Sequence, residues 1–519
     1  MPGSVSGIPS FSFPMKTLKF GLAVALMGSA SHAFAQYNTD ALRFSQTQPT
    51  GTARTLGLGG ASAAVGGDFG AATINPAGLG MFQRSEFTFS PGLSNLSADS
   101  RAFGTTTSDS RSNLHIGSIG LVFANRRPDD DTAPWRSGAF SFGFTRIGDY
   151  NSNFRYQGRP QLEQDIFQRL SEDRGAALDD LAYDTYLTDS LNANNGTTGR
   201  LVKRGISGPF NDTGQLDQAE TVRTTGSQNQ YDFAYGASYM DKIYIGGGIG
   251  IVTSRYTSEN TITASDTEPV SNAAGTSFAS LTQRDFLETK GTGFNARVGI
   301  IYKPVDALRI GASVQTPTYH QFTETYSSSL SARFDKPVQV GSQSFSSANS
   351  SLDPNIFDYA VTTPFRATGG VAAVIAKYGF LSGDVEYVNY ASANLSNYNN
   401  EGVTGNFDFG PDNDAIDNLY RSTVNLRVGG EVRADIFRVR AGFARYGSPY
   451  QSSAVDQART FYTGGVGLRQ KNFFLDAAGV YSSGTRLYSP YSLRNAADTP
   501  VVEVDNKRFT TTLTAGFMF

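Results

Sequence analysis

The side chains that most often carry catalysis and metal binding are scarce in this chain of 519 residues. Cysteine is absent, which excludes disulfides, a thiolate nucleophile and cysteine metal ligands. The three histidines are His32, His115 and His320, and the last two lie far apart in the chain. A histidine-based metal cluster or catalytic triad is therefore not expected, although one histidine could act alone. We predict no catalytic residues, no metal site and no cofactor.

Arginine offers a second kind of chemistry, because a guanidinium binds a carboxylate through two parallel hydrogen bonds. Five arginines lie on the polar side of segments in which polar and apolar residues alternate: Arg297, Arg309, Arg366, Arg427 and Arg433. They could hold the carboxylate of a ligand. They could instead pair with Asp384, Glu386 or Glu431 and line a wet interior, which is the commoner role of such charges.

Charge and hydropathy exclude other classes of protein. The formal net charge is -3 and the basic residues are scattered, which argues against nucleic acid as the partner. No apolar run reaches the roughly 20 residues of a membrane helix. The mean hydropathy of -0.29 still allows a membrane protein, because barrel strands alternate lipid-facing apolar residues with lumen-facing polar ones.

That alternation is present along most of the chain and predicts β-strands. In one central segment an apolar face contains Phe294, Ala296, Val298, Ile300 and Tyr302. The opposite face contains Asn295, Arg297, Gly299 and Lys303, with Ile301 as an apolar exception. The same pattern predicts strands near 85–97, 111–124, 137–150, 227–240, 242–257, 285–303, 306–322, 362–376, 378–393, 420–434, 436–448, 458–470, 472–485 and 506–519.

A soluble sandwich can alternate in the same way, but two features favour a membrane barrel. Short and long connections alternate along the chain. The tight turns lie near Asp241, Pro304, Lys377, Asp435 and Lys471, and the long polar stretches lie at roughly 258–284, 323–361, 394–419 and 486–505. Bacterial barrels show this asymmetry, with short periplasmic turns, long outer loops and an even number of strands. We therefore predict an all-β fold, a transmembrane antiparallel β-barrel of about 14 strands spanning 85–519.

Both ends of the chain point to export. From Met15, the expected start, a positive region, a short apolar core and the small residues around Ala35 form a predicted signal peptide cleaved after Ala35. The alternative is an anchoring helix, although the apolar core is too short to span a membrane. At the other end, the last strand stops on Phe519, a terminal aromatic residue resembling the signal that barrel-insertion machinery reads. An ordinary edge strand could also stop there.

Two long connections differ in their predicted structure. The connection near 151–226 contains helical spacing at 160–192, which predicts one or two short amphipathic helices on an external loop; a flexible acidic loop is the alternative. Segment 323–352 is rich in serine and is predicted to be a solvated loop.

The segment 36–84 is rich in glycine and alanine and contains the turn Asn75-Pro76-Ala77-Gly78 just before the first strand. Here the sequence resembles the FadL family of outer-membrane transporters for long-chain fatty acids and other hydrophobic compounds. In that family this segment is a hatch that plugs a fourteen-stranded barrel, and its Asn-Pro-Ala motif lies in the plug. The resemblance predicts a hatch at 36–84, inside the lumen. A turn in an ordinary N-terminal extension is the alternative.

The resemblance also implies a function: passive uptake of a hydrophobic small molecule, such as a fatty acid, across the outer membrane of a Gram-negative bacterium. The ligand would leave sideways through a gap made by the third strand, where Gly143 and Gly148 could permit a bend. Outer-membrane lipid, the hydrophobic ligand and the insertion machinery are the expected partners. An alternative is a FadL-like barrel that shuttles protein, as in type IX secretion. An outer-membrane enzyme is a third hypothesis, which loss of activity on mutating His115 and His320 would support.

Overall fold

Strands account for most of the computed structural model, which describes residues 37–172, 177–190, 200–202, 215–267, 277–398, 407–453 and 455–519. The predicted signal peptide, with Met15, His32 and Ala35, lies outside these residues. Strands β1 to β21 span, in chain order, Glu86–Ala102, Thr105–Arg126, Trp135–Asp149, Ser152–Gly158, Thr188–Ser190, Arg200–Val202, Leu216–Tyr239, Ile243–Asp266, Ser277–Val305, Leu308–Gln315, Tyr319–Val340, Gln343–Ser351, Asn355–Thr362, Arg366–Ile375, Gly379–Asn389, Asn394–Asn397, Ser422–Ala434, Phe437–Tyr446, Arg459–Arg469, Phe473–Tyr488 and Val502–Met518.

All of these strands except β5 and β6, which form a separate two-stranded sheet, belong to a closed antiparallel barrel with fourteen wall positions, as the sequence predicts. Four wall positions consist of two consecutive strands each, namely β3 with β4, β10 with β11, β13 with β14, and β15 with β16. The wall closes where β1 pairs with β2 on one side and with β21 on the other, from Glu86↔Met518 to Arg101↔Glu503. Closure pairs the first wall strand with the last, which a lipid environment favours because it offers no hydrogen-bond partners to an open sheet edge.

The outer surface carries the apolar belt of a membrane barrel. Alternate wall residues such as Phe294 and Val298 are 65% and 62% exposed although they are apolar. Exposed aromatic residues form a girdle at the end of the tight turns, including Trp135, Tyr239, Tyr302, Tyr378, Phe437, Phe473 and Phe519. A second girdle crosses neighbouring strands at the other edge of the belt, through Phe443↔Tyr462, Tyr462↔Tyr481 and Tyr481↔Phe509. Aromatic girdles of this kind mark the two membrane interfaces.

The two ends of the barrel differ in their connections, and we name them the short-turn end and the long-connection end. At the short-turn end, β7 and β8 are joined through Met240 and Asp241, both with positive φ (56° and 52°). Positive φ at both central residues gives a turn whose twist matches that of the strands it joins. Ala376 and Asp435 also have positive φ in tight turns at this end.

At the long-connection end the structure differs from the sequence prediction. Most of 258–284 is paired strand, since β8 runs to Asp266 and β9 begins at Ser277. The predicted solvated loop at 323–352 is likewise wrong, because β11 and β12 pair there, from Ser329↔Ser351 to Val340↔Gln343. Beyond the apolar belt the outward face of a strand is polar, and the apolar inner face of β11 is limited to a few residues such as Leu330, Ala332 and Phe334, so the alternation that reveals a strand is short.

Six helices lie among the described residues, and we number them α1 to α6: Tyr37–Ser45, Ala53–Gly57, Ala71–Ile74, Ile166–Glu172, Ala177–Asp184 and Gly410–Leu419. Helices α4 and α5 belong to the connection between β4 and β7. Their apolar residues, including Ile166, Leu170 and Leu181, pack against the extended strands at Ile262 and Leu330. None of the described helices is long and apolar enough to cross a membrane.

Candidate functional site: the plugged lumen

The segment from Tyr37 to Arg84 lies inside the barrel wall, and we call it the hatch. It contains α1, α2, α3 and a 3-10 turn at Pro76–Met81. Almost all of its residues from Gly51 to Phe69 are buried. Long-range hydrogen bonds tie it to the wall, such as Ala53 N–H to Thr514 Oγ1 at 2.7 Å. The sequence folds this way because small residues let the hatch backbone approach the wall closely.

The Asn75 side chain joins two parts of the hatch to the wall. Its Nδ2 donates to the carbonyl of Ala63 at 2.7 Å and to the carbonyl of Ile300 at 3.2 Å. Its Oδ1 accepts from the Ala77 N–H at 3.2 Å and caps the 3-10 turn. Asn75 is 1% exposed, so each of these groups depends on the amide for a partner.

Glycines on the inner face of neighbouring strands make room for the hatch. The pairs and one triplet stand in register, and each meets one part of the hatch: Gly120↔Gly143 meets Phe69, Gly236↔Gly246↔Gly299 meets Asn75 and Pro76, Gly311↔Gly370 meets Ala63, and Gly429↔Gly442 meets Leu58 and Gly59. At each of these glycines an added Cβ would lie no more than 3.0 Å from a hatch atom. Real Cβ atoms do not approach so closely, so the hatch fits against the wall only if these wall positions are glycine.

Charged side chains of the wall hold the hatch in place. Asp384 Oδ2 accepts from the backbone N–H groups of Ser62 at 2.8 Å and Ala63 at 2.9 Å. In the neighbouring wall, Glu386 pairs with Arg366 and with Arg427, each at 3.4 Å. Arg366 also donates to the backbone carbonyl of Ser45 in the hatch. One carboxylate therefore compensates two buried guanidinium groups.

Glu431 is a second shared carboxylate. It accepts from Arg440 at 2.7 Å and from Arg433 at 2.8 Å, and it lies 3.5 Å from Arg54 of the hatch. Arg440 also pairs with Asp476 at 2.6 Å. The result is a continuous network of alternating charges at the level of α2. Buried charges in such a network are stable only when all partners remain in place.

Around α1, toward the long-connection end, residues of the wall and of the segment before α6 form an aromatic chamber. We define it by Tyr256, Phe322, Phe357, Tyr359, Phe407 and Phe409, which come from β8, β11, β13 and the segment before α6. Aromatic rings supply a large apolar surface that accepts flat and chain-like hydrophobic groups.

Helix α1 occupies this chamber. The ring of Tyr37 lies 5.3 Å from that of Phe357 and 5.2 Å from that of Tyr359, and the ring of Phe44 stacks on Phe322 at 4.2 Å. Asp40, which is fully buried, accepts from the Tyr359 hydroxyl and from the Arg43 guanidinium. The rings and the carboxylate together seat the helix.

The wall ladder is interrupted between β2 and β3. Among the described residues, their pairing stops at Ser118↔Thr145, although β2 continues toward Thr105. The pairing of β3 with β7 shifts register between Arg146 and Gly148. A register shift of this kind bends a strand away from its neighbour.

A polar cavity of about 60 Å³ lies on the lumenal side of this interruption. Its lining includes His115 on β2, Arg146 and Asp149 on β3, and Arg508 on β21. Asp149 pairs with Arg146 at 3.3 Å and with Arg508 at 3.2 Å. The hatch reaches the same place, because the Thr50 hydroxyl donates to the carbonyl of Arg146.

Three solved structures share this architecture. A FadL homologue of Pseudomonas aeruginosa has 12% identity, covers 91% of this chain and 99% of its own, and has a TM-score of 0.50. The Ralstonia pickettii toluene transporter TbuX has 16% identity, the same coverages and a TM-score of 0.50. The P. putida toluene transporter TodX has 12% identity, the same coverages and a TM-score of 0.52. The chain has the FadL-type barrel fold. No family model matches the sequence, and no curated protein matches it.

In this FadL-type barrel the predicted site residues fall into separate places. Asn75, Pro76, Ala77 and Gly78 lie together against β7, β8 and β9. Gly143 is not at the bend, because it is paired in register and packs against Phe69. The register shift lies at Ile147, between Arg146 and Gly148. The role of this bend as a lateral exit for the ligand stays a prediction.

The five predicted arginines line the lumen wall but are not gathered around one cavity. Arg366, Arg427 and Arg433 pair with Glu386 or Glu431, as the pairing interpretation expects. Arg297 lies 3.6 Å from Asp232 and donates to the carbonyl of Ala72 at 2.9 Å. Arg309 donates to the carbonyl of Val65 at 2.7 Å. Asp384 departs from the expectation, because it binds hatch backbone and none of the five arginines lies within ion-pair distance among the described residues.

The aromatic chamber was not found in the sequence. Tyr256 and Phe322 lie at the ends of predicted strands, whereas the other four members come from segments predicted as long polar loops, and Tyr37 is separated from Phe409 by most of the chain. One signal was available: Phe357, Tyr359, Phe407 and Phe409 occur as two pairs at i, i+2 inside polar segments. Aromatic residues at that spacing point to the same face of an extended chain.

Proposed function

We propose that this chain is an outer-membrane protein of a Gram-negative bacterium that takes up hydrophobic small molecules passively, without catalysis or a cofactor. The aromatic chamber inside a plugged, closed wall carries this proposal. A pocket lined mainly by aromatic side chains, with a few placed polar groups, is the usual form of a site for an apolar ligand. The fold shared with transporters of toluene supports the same class of ligand.

In this proposal α1 stands where the ligand binds. Tyr37 and Phe44 fill the chamber with rings, as an apolar ligand would, and the ligand competes with them. A protein whose binding-competent state is partly populated binds its ligand more weakly by that fraction. Weakening the docking of α1 therefore strengthens binding.

The exit we propose is lateral, through the interrupted ladder between β2 and β3. Unpaired backbone in a membrane wall is tolerated where it lines a cavity, and the polar cavity at His115 meets that condition. The shift between Arg146 and Gly148 supplies the bend that keeps the strands apart. Elsewhere on the lumen wall, Arg297, Arg309, Arg366, Arg427 and Arg433 remain candidates for holding a ligand carboxylate, at the cost of their present contacts.

A long-chain fatty acid is the specific ligand we propose, with lipid of the outer membrane as the surrounding solvent and the insertion machinery reading Phe519. The test uses the full chain in lipid nanodiscs, titrated calorimetrically with oleate and with toluene. Saturable binding of both supports the proposal. Binding of toluene without oleate contradicts the fatty acid but keeps hydrophobic uptake.

A matched pair of variants tests the role of α1. Tyr37→Ala removes the ring contacts with Phe357 and Tyr359, and two contacts of about 0.5–1.5 kcal/mol each predict roughly 5- to 150-fold tighter binding. Tyr231→Ala removes a tyrosine that faces lipid and is 38% exposed, and it should bind as the unmodified protein does. Equal affinities of the two variants would exclude competition by α1.

The same protein preparation also tests two other functions. Protein cargo that co-purifies and is displaced by neither ligand favours the shuttle hypothesis. Chemical turnover that is lost in His115→Ala or His320→Ala favours an enzyme. The geometry gives the histidines other surroundings: His320 stacks on Phe322 with ring centroids 5.2 Å apart, and His115 lines the polar cavity.

A further inference from the structure

A separate cavity lies at the short-turn end, away from the aromatic chamber and from the interruption between β2 and β3. It has a volume of about 360 Å³ and opens among the tight turns. Its walls come from the hatch, through Gly66 and Gly67, and from strand ends near Asp241 and Lys303. We call it the basal cavity.

Its lining is strongly cationic. One acidic side chain, Asp241, lines the basal cavity, against six basic ones: Arg54, Arg126, Lys303, Arg309, Arg433 and Arg469. Arg126 already neutralises Asp241 through two hydrogen bonds of 2.9 and 3.0 Å. The cavity therefore has no free acidic side chain on its lining to balance the remaining cations.

Two of these cations have no acidic partner in the part of the chain that the structure describes. Among the described residues, no carboxylate lies within 4.0 Å of the side-chain nitrogens of Arg309 or Arg469. Arg469 lies over the ring of Phe474, 4.7 Å from its centroid, and the buried Nε of Arg309 has no hydrogen-bond partner. The other four cations each have an acidic group nearby, since Lys303 pairs with Asp306 at 3.0 Å, while Arg433 and Arg54 share Glu431.

The hatch fixes the position of the cations. Arg309 donates to the carbonyl of Val65, and Arg54 donates to that of Gly67, both at 2.7 Å. Gly66 and Gly67 have φ values of 65° and 64°, which lets successive carbonyls turn toward these guanidinium groups. An added Cβ at Gly67 would meet no atom within 4 Å, so this turn faces open space. Donors held in advance bind a ligand without the entropy cost of ordering them.

We propose that the basal cavity binds a small oxyanion, a carboxylate or a phosphate, with Arg309 and Arg469 of its lining as donors. Guanidinium groups are the preferred partners of both because their donors match planar pairs of oxygen atoms. The proposal does not depend on uptake of a hydrophobic ligand through the chamber. The anion is either free or the head group of an amphipathic molecule, and the experiment separates these sources.

The experiment measures affinity in nanodiscs of zwitterionic lipid at low ionic strength, with inorganic phosphate, octanoate and octanol as probes. We expect phosphate and octanoate to bind and octanol not to bind. Octanoate much tighter than phosphate identifies an amphipathic acid, and equal affinities identify a free anion. Binding of octanol as tight as that of octanoate, or no binding of phosphate and octanoate, overturns the proposal.

Arg309→Gln/Arg469→Gln keeps side-chain size and removes both charges. Loss of two charge-assisted hydrogen bonds predicts affinity weaker by about 100-fold. The matched control is Arg101→Ala/Arg155→Ala, which removes two exposed arginines at the opposite end and should change nothing. If the glutamine variant shows no shift in gel mobility on boiling, it has not folded, and a salt titration of the unmodified protein serves as the test instead. Raising NaCl from about 0.05 to 0.5 M should weaken phosphate binding to the unmodified protein at least tenfold, and an unchanged affinity overturns the proposal.

Discussion

Substituting Gly299 by alanine should unseat the hatch, and the structure shows through which atoms. The added Cβ would lie closer than 3.0 Å to Oδ1 and Cγ of Asn75, which is fixed by hydrogen bonds to Ala63, Ile300 and Ala77. The next atom it would meet, the carbonyl oxygen of Ala312, is 3.3 Å away and tolerable. Overpacking of this kind costs about 1–3 kcal/mol. Because the clash exists only with the hatch in place, this cost opposes hatch docking and predicts a roughly 5- to 150-fold larger open population.

Hydrogen exchange of hatch peptides from 60–84 measures that population, since exchange through local opening follows the free energy of opening. The control is Gly369→Ala, where an added Cβ meets nothing within 4 Å. A double-mutant cycle makes the test specific. Asn75→Ala removes both clashing atoms, so Gly299→Ala should have little further effect in that background. Equal exchange in the two glycine variants, or full additivity with Asn75→Ala, would refute the proposed seat of the hatch.

Three further predictions concern charged groups. Asp384→Ala removes two charge-assisted hydrogen bonds to the hatch, of about 1.5–3 kcal/mol each, and should raise ion conductance of planar bilayers, whereas unchanged conductance would count against this anchor. Glu386→Ala leaves two buried guanidinium groups unpaired and should lower the free energy of unfolding by about 3–5 kcal/mol, measured as a lower temperature of gel-mobility conversion. Arg366→Ala leaves Glu386 paired with Arg427 and should cost less. The reverse order would contradict the shared-carboxylate arrangement. On α6, burial and then the nearby charge of Asp408 raise the pKa of Asp412 from 3.8 to about 6. The proton is bound more tightly in the folded state, so the stabilisation of α6 is complete below about pH 4 and lost as the pH rises through about 6. Hydrogen exchange of the 410–420 peptide, corrected for intrinsic rate, should follow this window, and Asp412→Asn should abolish it.

Much of the barrel could be predicted from the sequence because its apolar belt imposes a period of two. Phe294, Val298 and Tyr302 face outward as that period requires. Ile301 broke the pattern, and the structure explains why: it is fully buried against Ala77 of the hatch. A local exception in a strand therefore marked a contact with another part of the chain.

Other features could not be predicted because their cause is not local. In 323–352 the apolar inner face of β11 is short, at Leu330, Ala332 and Phe334, and β12 is mostly serine and other polar residues, so the alternation was outweighed by the polar composition. The sequence identified the acidic and basic partners as types, but it could not pair Glu386 with two arginines from different strands. Inner-face glycines were read as ordinary barrel residues or as a bend. Their register across strands, which seats the hatch, is visible only once the strands are aligned.

The central claim is that a plugged barrel passes hydrophobic molecules while remaining closed to ions. Proteoliposomes containing the full chain test it directly when oleate and toluene accumulation and ion conductance are measured on the same preparation. We predict saturable accumulation of the hydrophobic compounds above protein-free liposomes, together with low conductance. An open ion-conducting pore without accumulation of either compound would contradict the account.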